Sequence, residues 1–513
     1  MSSQKTDTIK KQEFTGLRGI LWPVHNYELK KFLPMGLMML CILFNYNILR
    51  DTKDTLVVNA PAAGAECLSF LKLYGVTPAA VLFMVIFVKL ANIMEREKLF
   101  YAVLLPFLVF FGAFAFVIYP NKDFLHMSVE TINHYQAAYT NLHWLIPVIG
   151  NWSFSLFYIL SELWGSVILS MLFWQFANEI TKITEAKRFY GLFGMVGNIG
   201  LVIAGPTIIM CASYAKSLPQ DVDSFAVNLK YLMAAVVVAG LIICATYRWM
   251  NKNVLTDPKF YQPGEGAGKK KKAKLSMGES FKYIITNPYL GLIAVIVLAY
   301  GVAINLVEGV WKGQLKIAFP DKNDYNSFMG QFTTWTGAVT MILMVVGNNI
   351  LRRLSWKSAA IITPIMVLIT SAIFFYFVWE STELDPFTPL MGTTVVMVAV
   401  IVGQIQNVLS KGTKYSLFDS TKQMAYIPLD PEAKVKGQAA VEVIGGRAGK
   451  SGGAFIQSTM LAAIGGSVSL ASLAYILGPI VIIICLIWIL AVTNLGKRFT
   501  ALTQEKPAEG KAA

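Results

Sequence analysis

Runs of about twenty apolar residues recur twelve times along this chain, beginning near Phe32, Leu73, Leu99, Leu145, Phe189, Leu232, Leu290, Phe328, Ala359, Pro389, Gln438 and Leu470. A helix of that length spans the hydrocarbon of a bilayer, because each residue adds about 1.5 Å of rise. Inside lipid the backbone amides must find partners within the segment itself. Charged residues make up only 14% of the chain and hydrophobic ones 55%, whereas soluble proteins carry roughly 25% charged residues. The expected fold class is therefore an all-α polytopic membrane protein with twelve transmembrane helices.

Basic residues orient such a chain, because lysine and arginine are retained on the cytoplasmic side. Lys5, Lys10, Lys11, Arg18, Lys30 and Lys31 precede the first run. Lys182, Lys187 and Arg188 follow the fourth, "GKKKKAK" (268–274) follows the sixth, Lys411, Lys414 and Lys422 precede the eleventh, and Lys497 and Arg498 follow the twelfth. All of these fall on one side, so both termini are expected in the cytoplasm. The net charge of +14 then needs no nucleic-acid partner: most of it is topology signal beside anionic lipid. The N-terminal "MSSQKTDTIKKQEF" lacks the apolar core of a cleavable signal. Cys41, Cys67, Cys211, Cys244 and Cys485 are scattered, and with only four histidines no metal site or cofactor is expected.

Pro263 and the stretch from Gly264 to Gly268 mark a flexible connection that divides six runs from six. Expected boundaries are a cytoplasmic segment 1–30, a six-helix bundle 31–250, a basic linker 251–285, a second bundle 286–496 and a tail 497–513. The halves echo each other. "TEAKRFYGLFGMVGNIG" enters the fifth run and "PEAKVKGQAAVEVIGGRAG" the eleventh, and Asn47 and Asn305 fall at similar offsets in the first and seventh. Parallel six-helix repeats are the plan of the major facilitator fold, with cargo held between the halves near the midplane. Such a fold works as one chain, so a monomer is expected.

Ionisable groups inside apolar runs are costly and mark functional positions. Asn47, Arg50 and Asp54 share a face, with Lys53 beside them. Asn151, Ser155, Glu162 and Ser166 form a stripe in the fourth run. Asn305, Glu308 and Lys312 share a face in the seventh, and Arg447 and Lys450 lie three apart in the eleventh. A softer stripe of Gln404, Asn407, Lys411 and Lys414 marks the tenth. Plainer readings stand beside these: Arg50, Lys53 and Lys312 at helix ends could snorkel to the interface, Glu162 and Glu308 could be structural partners of a cation, and Gln404 and Asn407 could be interhelical glue. Arg50, Lys53, Arg447 and Lys450 together make an excess of cation that calls for an anion, and both side chains suit phosphate oxygens.

"GGRAGKSGG" (445–453) resembles the end of a nucleotide-hydrolysing phosphate loop. The spacing is wrong for one. A glycine should stand five residues before the Gly-Lys pair, and Ile444 stands there. The flanking sequence reads as one long helix rich in small residues, so this segment is expected to meet phosphate, if at all, as part of a membrane helix.

Several stretches carry a family resemblance: "NYNILRDTKDTLVV", "SELWGSVILSMLFWQFANEI", "EAKRFYGLFG", "LVEGVWK", "SLFDSTKQMAYIPLD" and "GGRAGKSGG". From about residue 20 to about residue 498 the chain resembles the non-mitochondrial nucleotide transporters of obligate intracellular bacteria, such as chlamydiae, and of plastid envelopes. That resemblance implies an antiporter that exchanges ATP for ADP, with phosphate as a further cargo, in a bacterial inner membrane. It also implies that Lys53, Glu162, Glu308 and Lys450 matter for transport. Members of the family also carry other nucleotides with protons, or NAD, so a proton-coupled nucleotide importer stays open. A membrane enzyme is the other class, but no histidine constellation or paired aspartate motif lies at midplane depth.

Overall fold

The structure, a computed structural model, describes residues 22, 24–258, 260, 286–379, 393–429 and 431–504. The basic stretch 268–274 and the acidic loop residues Glu380, Glu383 and Asp385 lie outside the described residues.

Among the described residues, twelve long helices follow one another. In the first half they are α1 (Leu29–Val58), α2 (Cys67–Ile93), α3 (Arg96–Leu125), α4 (Trp152–Ile180), α5 (Ile183–Lys216) and α6 (Ser224–Asn253). In the second half they are α7 (Pro288–Ala318), α8 (Lys322–Arg353), α9 (Trp356–Trp379), α10 (Val395–Ala425), α11 (Pro431–Ile464) and α12 (Ala474–Gln504). Eleven are long and apolar enough to cross a membrane. The other, α11, carries Glu442, Arg447 and Lys450 among its small residues. The expected fourth run, from Leu145, is broken: a short helix, Ile146–Gly150, stops at Asn151 before α4 begins.

Corresponding helix pairs are joined in the two halves, with donor and acceptor exchanged. The Trp164 indole on α4 donates to the Ile42 carbonyl on α1 (3.1 Å), and the Trp311 indole on α7 donates to the Val400 carbonyl on α10 (2.9 Å). Asn47 and Asn305, the expected counterparts, each donate to the carbonyl four residues earlier, of Leu43 (2.6 Å) and Gly301 (3.0 Å). An amide bonded back to its own helix satisfies itself without a partner from another helix.

The halves meet along α5 and α8, which run antiparallel. Lys216 pairs with Asp324 at one end (2.6 Å), and Asn198 reaches the Met344 sulfur further along (3.8 Å). Between these points the backbones nearly touch: a Cβ placed on Gly330 would lie 2.8 Å from the Gly205 carbonyl oxygen. Small residues permit this approach, and packing of this kind is what holds membrane helices together.

One side of the molecule is shut. There the Trp144 indole donates to the Val468 carbonyl (2.8 Å), the Gly466 amide donates to the Thr140 carbonyl (2.9 Å), and the Lys316 ammonium donates to the Ala63 carbonyl. The buried Glu66 carboxylate accepts from the Leu470 amide (2.8 Å). Burial pushes this carboxyl above the usual carboxylate range, against the opposing pull of the Leu470 amide and the Lys316 charge. On the opposite side the described ion pairs each stay within one half: Lys31 with Glu185 (2.7 Å), Arg188 with Glu28 (2.5 Å) and Arg96 with Glu179 (2.7 Å) in the first, and Asp419 with Lys414 and Lys422 (3.4 Å each) in the second. Among the described residues, the hydrogen bonds and ion pairs between halves run from the shut side inward and stop at the level of Asn198 and Met344.

The glycines of "GGRAGKSGG" lie within α11, a continuous helix of 34 residues. A Cβ on Gly301 of α7 would sit 2.7 Å from the Gly449 Cα, and one on Gly453 would sit 2.6 Å from the Asn305 Cβ. The motif therefore packs α11 against α7, and among the described residues no strand precedes it as a phosphate loop requires. Gly301→Ala should cost about 1–3 kcal/mol by overpacking and lower the thermal midpoint in detergent. Gly194→Ala, on a helix face where nothing lies within 4 Å, should instead stabilise by roughly 0.5–1 kcal/mol through helix propensity. Equal midpoints for the two variants would refute the packing role.

Candidate functional site

Near the C-terminal end of α1 the sequence runs Arg50-Asp51-Thr52-Lys53-Asp54, four charges in five residues. A helix end at a water interface could carry them cheaply. Here they are covered instead: Lys53 and Asp54 are 3% and 1% exposed, and Asp51 is fully buried. Each must then meet an opposite charge, because an uncompensated buried ion costs several kcal/mol.

The partners come from both halves. The Lys53 ammonium lies 2.8 Å from Asp54 and 3.1 Å from Glu162 on α4, and it sits 3.9 Å over the Tyr158 ring. Asp54 uses its other oxygen on Lys312 of α7, at 2.8 Å. Lys312, 2% exposed, is also 3.2 Å from Glu308 one turn earlier on its own helix. Lys411 of α10 approaches the same Glu308 oxygen at 3.9 Å. Glu162, Lys53, Asp54, Lys312, Glu308 and Lys411 thus form an unbroken chain of ions from α4 to α10.

A second group flanks it. The Arg50 Nε lies 3.0 Å from Asp51, and an Nη donates to the Thr333 hydroxyl of α8 at 2.6 Å. That hydroxyl donates to Asp51 in turn. Arg50 (5.8 Å) and Lys411 (4.4 Å) both lie over the Phe332 ring, their cations toward its π-cloud. Lys72 of α2 reaches across to the amide oxygen of Asn305 at 2.9 Å. One turn on, the Thr77 hydroxyl meets that of Ser451 on α11 at 3.1 Å.

Arg50, Lys53, Glu162, Glu308, Asn305 and Lys312, six of the sequence-derived candidates, are therefore brought to one place. All three cations, Arg50, Lys53 and Lys312, are held in ion pairs, Lys53 and Lys312 almost fully covered, which argues against snorkelling. Asn47 is buried and bonded to its own helix, and no bond joins it to the ion chain among the described residues. Arg447 and Lys450 belong to the helical backbone of α11, but their side chains lie outside the described residues. Asn151 and Ser155 turn away from the site, donating to backbone carbonyls of Pro61, Pro147 and Val148. Gln404 and Asn407 are not the glue of α10: Asn407 bonds to Gly403 of its own helix, and Gln406 joins Ser371 of α9.

Two members, Asp51 and Lys72, are not singled out by the sequence. Asp51 stands beside Arg50. Lys411 belongs to the softer stripe of the tenth run and also counts among the cytoplasmic bases; α10 continues to Ala425, leaving Lys411 well inside the helix. Lys72 stood just before the expected start of α2, whereas the helix begins at Cys67. Its first turns are unusual: Leu71–Val76 is π-helical, a local widening often found at functional sites.

The chain matches the family described as TLC ATP/ADP transporter over residues 7–499. It is 50% identical over 505 residues to ADP,ATP carrier protein 1 of Chlamydia trachomatis serovar D, covering 98% of this chain and 95% of that one. It is 48% identical over 505 residues to ADP,ATP carrier protein 1 of Rickettsia bellii, covering 98% and 99%. Among solved structures it resembles a bacterial homologue of the iron transporter ferroportin (TM-score 0.54, 11% identity, 94% and 100% of the two chains). It also resembles the xylose transporter XylE from E. coli (TM-score 0.52, 14% identity, 95% and 100%). At these identities the structural likeness speaks for the fold alone, and the fold is that of a major-facilitator-type transporter. Sequence match, helix count and six-plus-six architecture agree: this chain belongs to the TLC ATP/ADP transporter family.

Proposed function

We propose that this protein exchanges ATP for ADP across a bacterial inner membrane by alternating access, with inorganic phosphate as an additional cargo and both termini in the cytoplasm. One chain does the work. Relatives of the same length from Chlamydia and Rickettsia bear the name ADP,ATP carrier protein, and the positive-inside pattern supports the orientation. The observation that carries the reading is the ion chain: two helices of one half and two of the other contribute buried or half-buried charges to a single centre beneath the shut side.

The Asp54–Lys312 bond is the link in that chain that crosses between halves. Rocking the halves apart separates these two residues. Neither is then left alone, because Asp54 keeps Lys53 on its own helix and Lys312 keeps Glu308 on its own helix. A buried charge without any partner would cost about 3–5 kcal/mol. The doubled pairing removes most of that penalty from the opening step. Lys312, Glu308, Glu162 and Asn305 are in this reading gate and charge-balance groups.

Arg50, Lys53, Arg447, Lys450 and Asn47 are the proposed ligands of the phosphates. Glu308 lies within electrostatic range of Lys53, Lys72, Lys312 and Lys411. A carboxylate in that position occupies the lysines as an anionic cargo would. Phosphate oxygens and Glu308 then compete for the same cations, and occupancy loosens the chain that holds the gate. Without cargo nothing replaces the Asp54–Lys312 bond that opening breaks, so the empty carrier resists reorientation even though each partner keeps a neighbour. Exchange, not net flow, follows from this.

ATP uptake into proteoliposomes should accordingly require nucleotide or phosphate inside. Robust uptake into empty vesicles driven by an imposed pH gradient would favour a proton-coupled importer instead. Glu308→Gln should slow exchange while leaving ATP affinity equal or tighter, since a competitor for the lysines is gone; parallel loss of binding and exchange would make Glu308 part of the nucleotide site. Asp54→Asn should open the shut side. In a variant whose native cysteines are replaced, Ala63→Cys should react with an impermeant maleimide at least ~10-fold faster when Asp54→Asn is added, equivalent to roughly 1.4 kcal/mol of gate stability. An unchanged labelling rate would mean that this ion bridge does not hold the side closed.

A further inference from the structure

The five described cations of the centre are not equally engaged. Lys53 and Lys312 each have two carboxylate oxygens within 3.2 Å and are sealed, at 3% and 2% exposed. Lys72 has a different environment. Its recorded partner is the neutral amide oxygen of Asn305, and among the described residues no carboxylate lies within ion-pair distance of it. Lys411 is close to the same condition, since its nearest carboxylate, Glu308, stands at 3.9 Å, beyond hydrogen-bond reach. Arg50 spends its Nε on Asp51 and one terminal nitrogen on Thr333.

Accessibility divides the groups in the same way. Arg50, Lys411, Glu308 and Glu162 retain 14%, 16%, 18% and 20% of their side-chain exposure, and Lys72 is half-buried. These are the groups that an entering molecule meets; Lys53, Asp54 and Lys312 lie behind them. Lys72 and Lys411 also come from opposite halves, on α2 and α10, and both lie within electrostatic range of Glu308 and Lys312. A lysine with no close counter-ion, partly open to water and ringed by other cations, is a site for an anion of several charges.

We infer that Lys72 and Lys411 are the first ligands of the cargo's polyphosphate, one from each half, with Arg50 sharing the Phe332 ring with Lys411. This rests on the nucleotide reading above and adds to it the order of engagement. Moving Lys72 or Lys411 onto a phosphate oxygen breaks no close ion pair, whereas moving Lys53 does. The polyphosphate bridges the halves through these two lysines before the buried gate is disturbed. Lys72 supplies its ammonium from the π-helical turn Leu71–Val76, and Lys411 supplies its own from above the Phe332 ring. The number of phosphates is the feature this pair reads: a chain of two or three spans both lysines, a single phosphate engages one, and a nucleoside engages neither.

Titration of purified full-length protein with ATP, ADP, AMP, adenosine and inorganic tripolyphosphate tests this. Lys72→Gln and Lys411→Gln should each weaken ATP, ADP and tripolyphosphate by about 10-fold or more. AMP should lose less, and adenosine should not change. Lys72→Arg and Lys411→Arg, which keep the charge, should stay within about 3-fold of wild type, separating an electrostatic loss from misfolding. Glutamine variants that melt like wild type and bind ATP and tripolyphosphate within about 2-fold of it would overturn the inference while leaving the nucleotide reading intact. Wild type that binds tripolyphosphate but no nucleotide, with both glutamine variants weakened, would keep the two lysines as ligands and remove the nucleotide reading.

Discussion

Asp54 accepts from Lys53 with one oxygen and from Lys312 with the other, and the rest of the site is arranged around that fact. In a low-dielectric interior a carboxylate facing one ammonium is a neutral pair, and a carboxylate facing two is a bridge with charge left over. The excess positive charge on either side must be met, and it is: Glu162 meets it at Lys53 and Glu308 at Lys312. Removing any one member leaves its neighbours unbalanced. Two halves of a membrane protein are held in one relative position by an interaction that is strong when dry and divisible when the halves part.

Such a bridge needs the halves to come close, and the small residues make that possible. Glycine backbones almost touch at Gly205 and Gly330, where α5 meets α8, and at Gly301 and Gly449, where α7 meets α11. The second contact gives "GGRAGKSGG" its reason. Glycines at 449, 452 and 453 keep α11 against α7, and so keep Asn305, Glu308 and Lys312 on a helix that cannot shift freely within its half. A motif that looks like a nucleotide-hydrolysing loop is a helix-packing surface.

Family membership and the ion chain make a consistent picture. Cargo carrying several negative charges is matched by a centre in which described cations outnumber described carboxylates, with Arg50, Lys53, Lys72, Lys312 and Lys411 against Asp51, Asp54, Glu162 and Glu308. The carboxylates are what lets so many lysines exist in a dry place at all. In the exchange proposed above, the same carboxylates are the groups that cargo displaces.

The sequence by itself determined the class, the helices and most of the charged cast. Length and apolarity are local properties of a run, and the cost of an ion in lipid is paid wherever it falls, so Arg50, Lys53, Glu162, Glu308 and Lys312 were legible from their surroundings in the chain. The resemblance carried by long motifs added the family. Only the tertiary structure decided who faces whom. Helical periodicity places Asp54 on a face of α1 but is silent on whether that face meets lipid, α4 or α7. Lys72 was hidden, and the depth of Lys411 left open, for another reason: helix ends cannot be read from hydropathy when a helix outruns the hydrocarbon, as α10 does, or begins with a π-helical turn after a short helix, as α2 does. Asn47 and Asn305 show the converse. Their matching positions announced the repeat, yet one bonds only to its own helix and the other receives Lys72 from the opposite half, a difference created by packing between the halves and written nowhere in either segment.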